Sequence, residues 1–108
     1  MGKIDLVKLK HTIESNEKLD DFDAEVIYNM VTNSSRLYLS YPNKIYNEYT
    51  LCAIIYENGT MDVFNESCDL LRDLEYENIV NLIISNIEQA IENAESFYED
   101  VRSAIGKQ

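Results

Sequence analysis

Over the last third of the chain, apolar residues recur every three or four positions: Val80, Ile83, Ile87, Ala90, Ala94, Phe97, Val101 and Ala104. That spacing gathers them on one side of an α-helix, and Ile84, Ile91, Tyr98 and Ile105 widen the stripe. A helix from about Tyr76 to Ile105 is predicted, with Gly106 in the C′ position that glycine commonly fills. From Arg36 the period is two instead: Leu37, Leu39 and Tyr41 alternate with Arg36, Tyr38 and Ser40, as in a half-buried strand. Pro42 and Asn43 read as a turn. The run Tyr49 to Tyr56 is apolar, β-branched and aromatic, and Asn58-Gly59 separates it from Thr60 to Phe64. Asn-Gly between two such runs predicts a hairpin with a type I′ turn, which needs positive φ at both central residues.

Towards the N-terminus, Leu6, Leu9 and Ile13 fall at helical spacing within residues 3–15, although Ile4, Leu6 and Val7 also suit a short strand. Ser15-Asn16-Glu17 interrupts the pattern. Asp20, Asp21 and Asp23 supply N-cap and first-turn carboxylates for a second helix whose apolar face is Val26, Ile27, Met30 and Val31, ending at Asn33 to Ser35. Asn65 or Ser67 caps a short helix carrying Leu70, Leu71 and Leu74. The reading is a single α+β domain over residues 1–108, in the order α-α-β-β-β-α-α. It has a three-stranded antiparallel sheet flanked by helices and a long C-terminal helix.

With 108 residues, 45% of them hydrophobic and Pro42 the only proline, the chain is sized for one modest core. No apolar run reaches the length of a signal peptide or of a membrane span, so a cytosolic location is expected. In that compartment Cys52 and Cys68 are expected as reduced, mostly buried thiols.

The net charge of −11 changes the picture of partners, because every phosphate of a nucleic acid or anionic membrane would be repelled. Basic proteins are favoured. The acidity is concentrated: residues 57–100 carry twelve Asp or Glu against Arg72 alone. On the long helix Glu88, Glu92, Glu95 and Glu99 step by four, three and four, which at about 100° per residue confines them to an arc of roughly 60°. Asp100 adjoins them. Neighbours in this row stand about 5–6 Å apart, of the same order as phosphates along one DNA strand. The plain alternative is that an amphipathic helix needs a solvated face and Glu is a good helix former. Against it stands the near absence of compensating Lys, since like charges at i, i+4 cost a few tenths of a kcal/mol per pair.

Other chemistry is thin. Asp20, Asp21, Asp23 and Glu25 form a second acidic cluster that could hold a hard cation such as Mg²⁺, or merely stabilise a helix N-terminus. His11, Cys52 and Cys68 show no zinc spacing, and no catalytic cysteine motif is present. Glycines only at Gly2, Gly59 and Gly106 leave no phosphate-binding loop, so no cofactor is expected. Eight tyrosines are many for this length. Tyr38, Tyr46 and Tyr49 crowd the strand region, and tyrosine offers a contact surface with a large rigid face and a polar tip.

With its Asn58-Gly59 hairpin, flanking helices and acidic run from Glu88 to Asp100, the chain resembles in layout and charge the small acidic inhibitors of phages and mobile elements. These include anti-CRISPR proteins and other nucleic-acid mimics. The resemblance implies a non-catalytic inhibitor without cofactor or metal. No residue is carried over from that family; on the residues themselves, Glu88, Glu92, Glu95, Glu99 and Asp100, with Tyr38 and Tyr49, are expected to face the basic nucleic-acid-binding cleft of a target such as a nuclease. An immunity protein or adaptor for another protein partner is the alternative, and a homodimer stays open.

Overall fold

A computed structural model describes residues 4–30, 34–43, 47–63 and 69–106. Two short helices, α1 (Leu6–Glu14) and α2 (Glu17–Asp21), precede five strands. These are β1 (Glu25–Asn29), β2 (Arg36–Asn43), β3 (Glu48–Tyr56), β4 (Thr60–Val63) and β5 (Asp69–Leu70), and a single long helix, α3 (Tyr76–Gly106), closes the chain. The strands form one antiparallel meander in sequence order. The α+β class and the long C-terminal helix stand as predicted, but the sheet has five strands, not three.

Alternation decides which side of the sheet each residue serves. Leu37, Leu39, Tyr41 and Asn43 of β2 point inward and are buried, and Ile55, Met61 and Val63 meet them from β3 and β4. Cys52 is an extra residue in β3: Leu39 pairs with Ala53 and Ser40 with Leu51, so a bulge turns both Cys52 and Ala53 into the core. Leu6, Leu9 and Ile13 of α1 and Ile79, Val80, Ile83, Ile87 and Ala90 of α3 cover this face. Asp5 caps α1 by accepting from the Lys8 N–H at 3.1 Å, and its own N–H donates to the Tyr76 hydroxyl at 3.0 Å, tying α1 to the start of α3.

Several expectations fail for identifiable reasons. The second helix is only α2, capped by Asn16, whose side chain accepts from the N–H groups of Lys18 and Leu19. Asp20 and Asp21 therefore end this helix instead of starting one, and Asp23 turns the chain with φ 54°. Val26 and Ile27 lie on β1 because β-branched residues gain more as a strand beside β2, with Val26 opposite Leu39 and Ile27 opposite Tyr38; Val31 falls outside the described residues. Pro42 and Asn43 are not a turn but continue β2. Pairing with β1 stops at Ser40, so Pro42 has a neighbouring strand on one side only, where a missing N–H is tolerated.

The Asn58-Gly59 hairpin exists, but Tyr56 pairs with Thr60, leaving a three-residue loop. The Gly59 N–H donates to the Tyr56 carbonyl at 3.1 Å, and Gly59 has φ 92° while Asn58 does not take positive φ. That is a type I turn followed by a left-handed glycine, not type I′. Leu70 belongs to β5 rather than to a short helix, held by the Leu71 N–H donating to the Gly59 carbonyl at 2.7 Å. Its proposed caps Asn65 and Ser67 lie outside the described residues, as does Cys68. Gly106 is the last residue of α3 and does not take positive φ.

The two halves of the α3 stripe are buried to different degrees, which gives a direct stability contrast. Ile87→Ala, at a fully buried position, is expected to cost about 2–5 kcal/mol in denaturant unfolding. Val101→Ala, at a position 40% exposed, is expected to cost less than about 0.5 kcal/mol. Similar losses at both sites would mean that the distal stripe is covered within the fold.

Candidate functional site

The helix α3 has 31 residues, about 46 Å at about 1.5 Å per residue, in a molecule measuring 59 × 27 × 24 Å. It is longer than either of the molecule's two shorter dimensions. Its last buried residue is Ala90, Ile91 and Ala94 are half-buried, and from Glu95 to Gly106 every residue is exposed. The apolar stripe does not stop where the core stops. Phe97, Tyr98, Val101 and Ile105 keep the register of Ile83, Ile87 and Ala90 yet are 60%, 44%, 40% and 64% exposed.

Glu88, Glu92, Glu95 and Glu99 are all exposed; Glu95 and Glu88 border this stripe on its Ile91 and Tyr98 side, and Glu99 and Glu92 lie farther round the helix. The opposite edge of the stripe is formed by Asn86, Asn93, Asp100 and Ala104. Asp100 is exposed but turned about 100° from Glu99, which places it on that opposite edge and not in the carboxylate row. Lys10 to Glu14, 2.9 Å apart on α1, is the one ion pair among the described residues, so none of these carboxylates is neutralised there. Arg102 stacks its guanidinium 5.8 Å from the Tyr98 ring centroid instead.

The sheet tyrosines lie elsewhere. Tyr38 is opposite Ile27 and Ile54 in the middle of the sheet, and Tyr49 is opposite Pro42, both on the face turned away from α3. Tyr49, Ile27 and Leu51 expose 63%, 52% and 49% of their surface there. The predicted carboxylates and tyrosines therefore occupy two sides of the domain and do not make one continuous patch. Tyr46 lies outside the described residues. Of the row, Glu95 alone approaches the sheet end, lining a cavity with Tyr41, Pro42 and Asn43.

Among the described residues, no group of three or more His, Cys, Asp or Glu is placed to hold a metal ion, so Asp20, Asp21, Asp23 and Glu25 do not converge on one. His11 is exposed on α1, while Cys52 is fully buried, and burial pushes its thiol up to about 12, so it is held neutral rather than as a nucleophilic thiolate. Burial also raises the Tyr41 phenol, with Cys52 adding to the effect. Among the described residues no helix is long and apolar enough to cross a membrane.

The overhang escaped the sequence reading because the stripe has the same period in both halves. The signal that could have found it is length: the longest strand, β3, has nine residues, about 30 Å, which cannot cover a helix of about 46 Å. Comparison with known proteins yields no family model, no curated protein and no solved structure that matches the chain.

The buried thiol sets an alkaline limit on stability. Its unfolded value near 9 lies below its folded value of about 12, so between the two the folded protein keeps a proton that the unfolded chain has lost. Stability should be complete below pH 9 and fall as the pH rises towards 12, by up to about 1.4 kcal/mol per unit from this group. Denaturant unfolding from pH 7 to 11 should show the fall, and Cys52→Ala should reduce its slope, leaving above pH 10 the share that belongs to the buried Tyr41 phenol. An unchanged slope in the variant would assign the loss to other groups.

Proposed function

We propose that this protein is a non-catalytic binding protein that docks the distal half of α3 onto a protein with a basic surface, in the manner of a nucleic-acid mimic that inhibits its target. One observation carries the reading: the apolar stripe runs on past the core, exposed, with an unneutralised carboxylate row along its edge. A protruding helix face of this kind matches the helix-in-groove mode of recognition, in which apolar anchors spaced three and four apart enter a groove. Phe97 and Tyr98 supply aromatic anchors. Glu88, Glu92, Glu95 and Glu99 then select a groove edged by Lys and Arg, the edging that a nucleic-acid-binding cleft possesses. The charge of −11 on each copy opposes the pairing of two such helices with each other.

The open face of the sheet supports a second reading, an immunity protein or adaptor that binds through Tyr38, Tyr49, Ile27 and Leu51. One experiment separates the two. Replacing Glu88, Glu92, Glu95 and Glu99 together with Gln keeps side-chain length and helix propensity while removing four negative charges. Against a partner recovered by pull-down, association of this variant should slow at least about tenfold and lose most of its salt dependence, because complementary charge acts chiefly on the on-rate. Binding kinetics at two salt concentrations measure both. Equal on-rates and equal salt slopes would remove the helix reading and pass the contact surface to the sheet.

A further inference from the structure

Where the end of β2 meets the middle of α3, the fold leaves a cavity of about 180 Å³, room for about six waters at about 30 Å³ each, which one long side chain can fill. Its lining divides by chemistry. Phe22, Pro42, Ile91 and Ala94 give it apolar walls, and Asp21, Asp23 and Glu95 place carboxylates at it. None of the three carboxylates has an ion-pair partner among the described residues. Tyr41, 2% exposed, lines the same cavity, and its hydroxyl has no hydrogen-bond partner among the described residues. Such an orphaned group is costly in a core. A Phe at this position would fill the same space without that cost.

We propose that this cavity receives one arginine side chain of the basic partner, an assignment that rests on the docking reading for the arginine's source. Apolar walls suit the methylene stem; the Phe22 ring contributes to those walls while the Lys18 ammonium covers one of its faces, 5.2 Å from the centroid. The guanidinium carries five N–H donors in a fork, enough to reach carboxylates from both sides of the cavity and still donate to the Tyr41 Oη. The carboxylates are not gathered closely enough to share a metal ion; a guanidinium spans a wider gap than a bare ion does. Glu95 links this cavity to the docking surface, since it belongs both to the lining and to the carboxylate row. An arginine seated here anchors one end of the contact while Phe97, Tyr98 and Val101 bind farther along the helix.

The test uses the free protein and N-acetyl-arginine amide, followed by chemical-shift titration. Saturable shifts at the cavity residues are expected, with a dissociation constant on the order of millimolar, and N-acetyl-norleucine amide should not reproduce them. Tyr41→Phe and Glu95→Gln should each weaken binding by between about twofold and tenfold, the worth of one hydrogen bond, while Glu77→Gln, exposed on α3 and outside both the cavity and the carboxylate row, should not. The melting temperature of Tyr41→Phe should hold or rise. Absence of saturable shifts, equal binding of the norleucine compound, equal weakening by Glu77→Gln, or a melting temperature lowered by Tyr41→Phe would each overturn the assignment. Failure here with a slowed four-fold Gln variant would leave the docking reading standing. Success here with an unaffected four-fold variant would leave an arginine site without that reading.

Discussion

Burial of the first half of α3 against the sheet is the contact on which the rest of the molecule depends. Ile79, Val80, Ile83, Ile87 and Ala90 sit with Leu37, Leu39, Ile55 and Met61 in one core, and α1 adds Leu6, Leu9 and Ile13 beside them. A two-residue strand such as β5 has little cohesion of its own, and a five-strand meander without a covered face would be marginal. The helix supplies that cover. It also sets a geometric limit, because strands of two to nine residues end well before a helix of 31 residues does. The apolar stripe that closes the core at one end is thus left uncovered at the other.

Charge gives the uncovered end its direction. An isolated apolar stripe on a helix would invite indiscriminate association, yet here the row of Glu88, Glu92, Glu95 and Glu99 runs beside it with no cation paired to them among the described residues. Repulsion disfavours anionic partners, and contact with Lys and Arg relieves the crowding of like charges. The same logic acts at smaller scale in the cavity beside Tyr41, where carboxylates and an unsatisfied hydroxyl line a space walled by Phe22, Pro42 and Ile91. On the proposed reading, both features favour a cation with an apolar stem.

Much of this was legible in the residues alone. The helical stripe from Val80 to Ala104 is long enough that its period is unambiguous, and the alternation from Arg36 to Tyr41 placed Leu37, Leu39 and Tyr41 inward, as they are. The short segments misled because their local signals conflict with what the sheet rewards. Val26 and Ile27 accept helical spacing with Met30, but pairing with Tyr38 and Leu39 prevails. Leu70 sits at a helical distance from Leu74, yet β4 offers it a ladder. The carboxylate row was readable because it lies on one regular element. The cavity was not, since Phe22, Tyr41, Ile91 and Glu95 meet only through tertiary packing.

Amide hydrogen exchange along α3 in the free protein distinguishes a distal stripe that is uncovered from one that is packed away. Opening costs run from near zero at uncovered ends to the full stability of about 5–15 kcal/mol in a core. Residues 79–90 should therefore exchange only through global unfolding, whereas residues 95–106 should exchange several orders of magnitude faster and slow down once a partner is bound. Protection at residues 97–105 equal to that at residues 79–90 in dilute free protein would mean that the distal stripe is already covered, and would contradict the account.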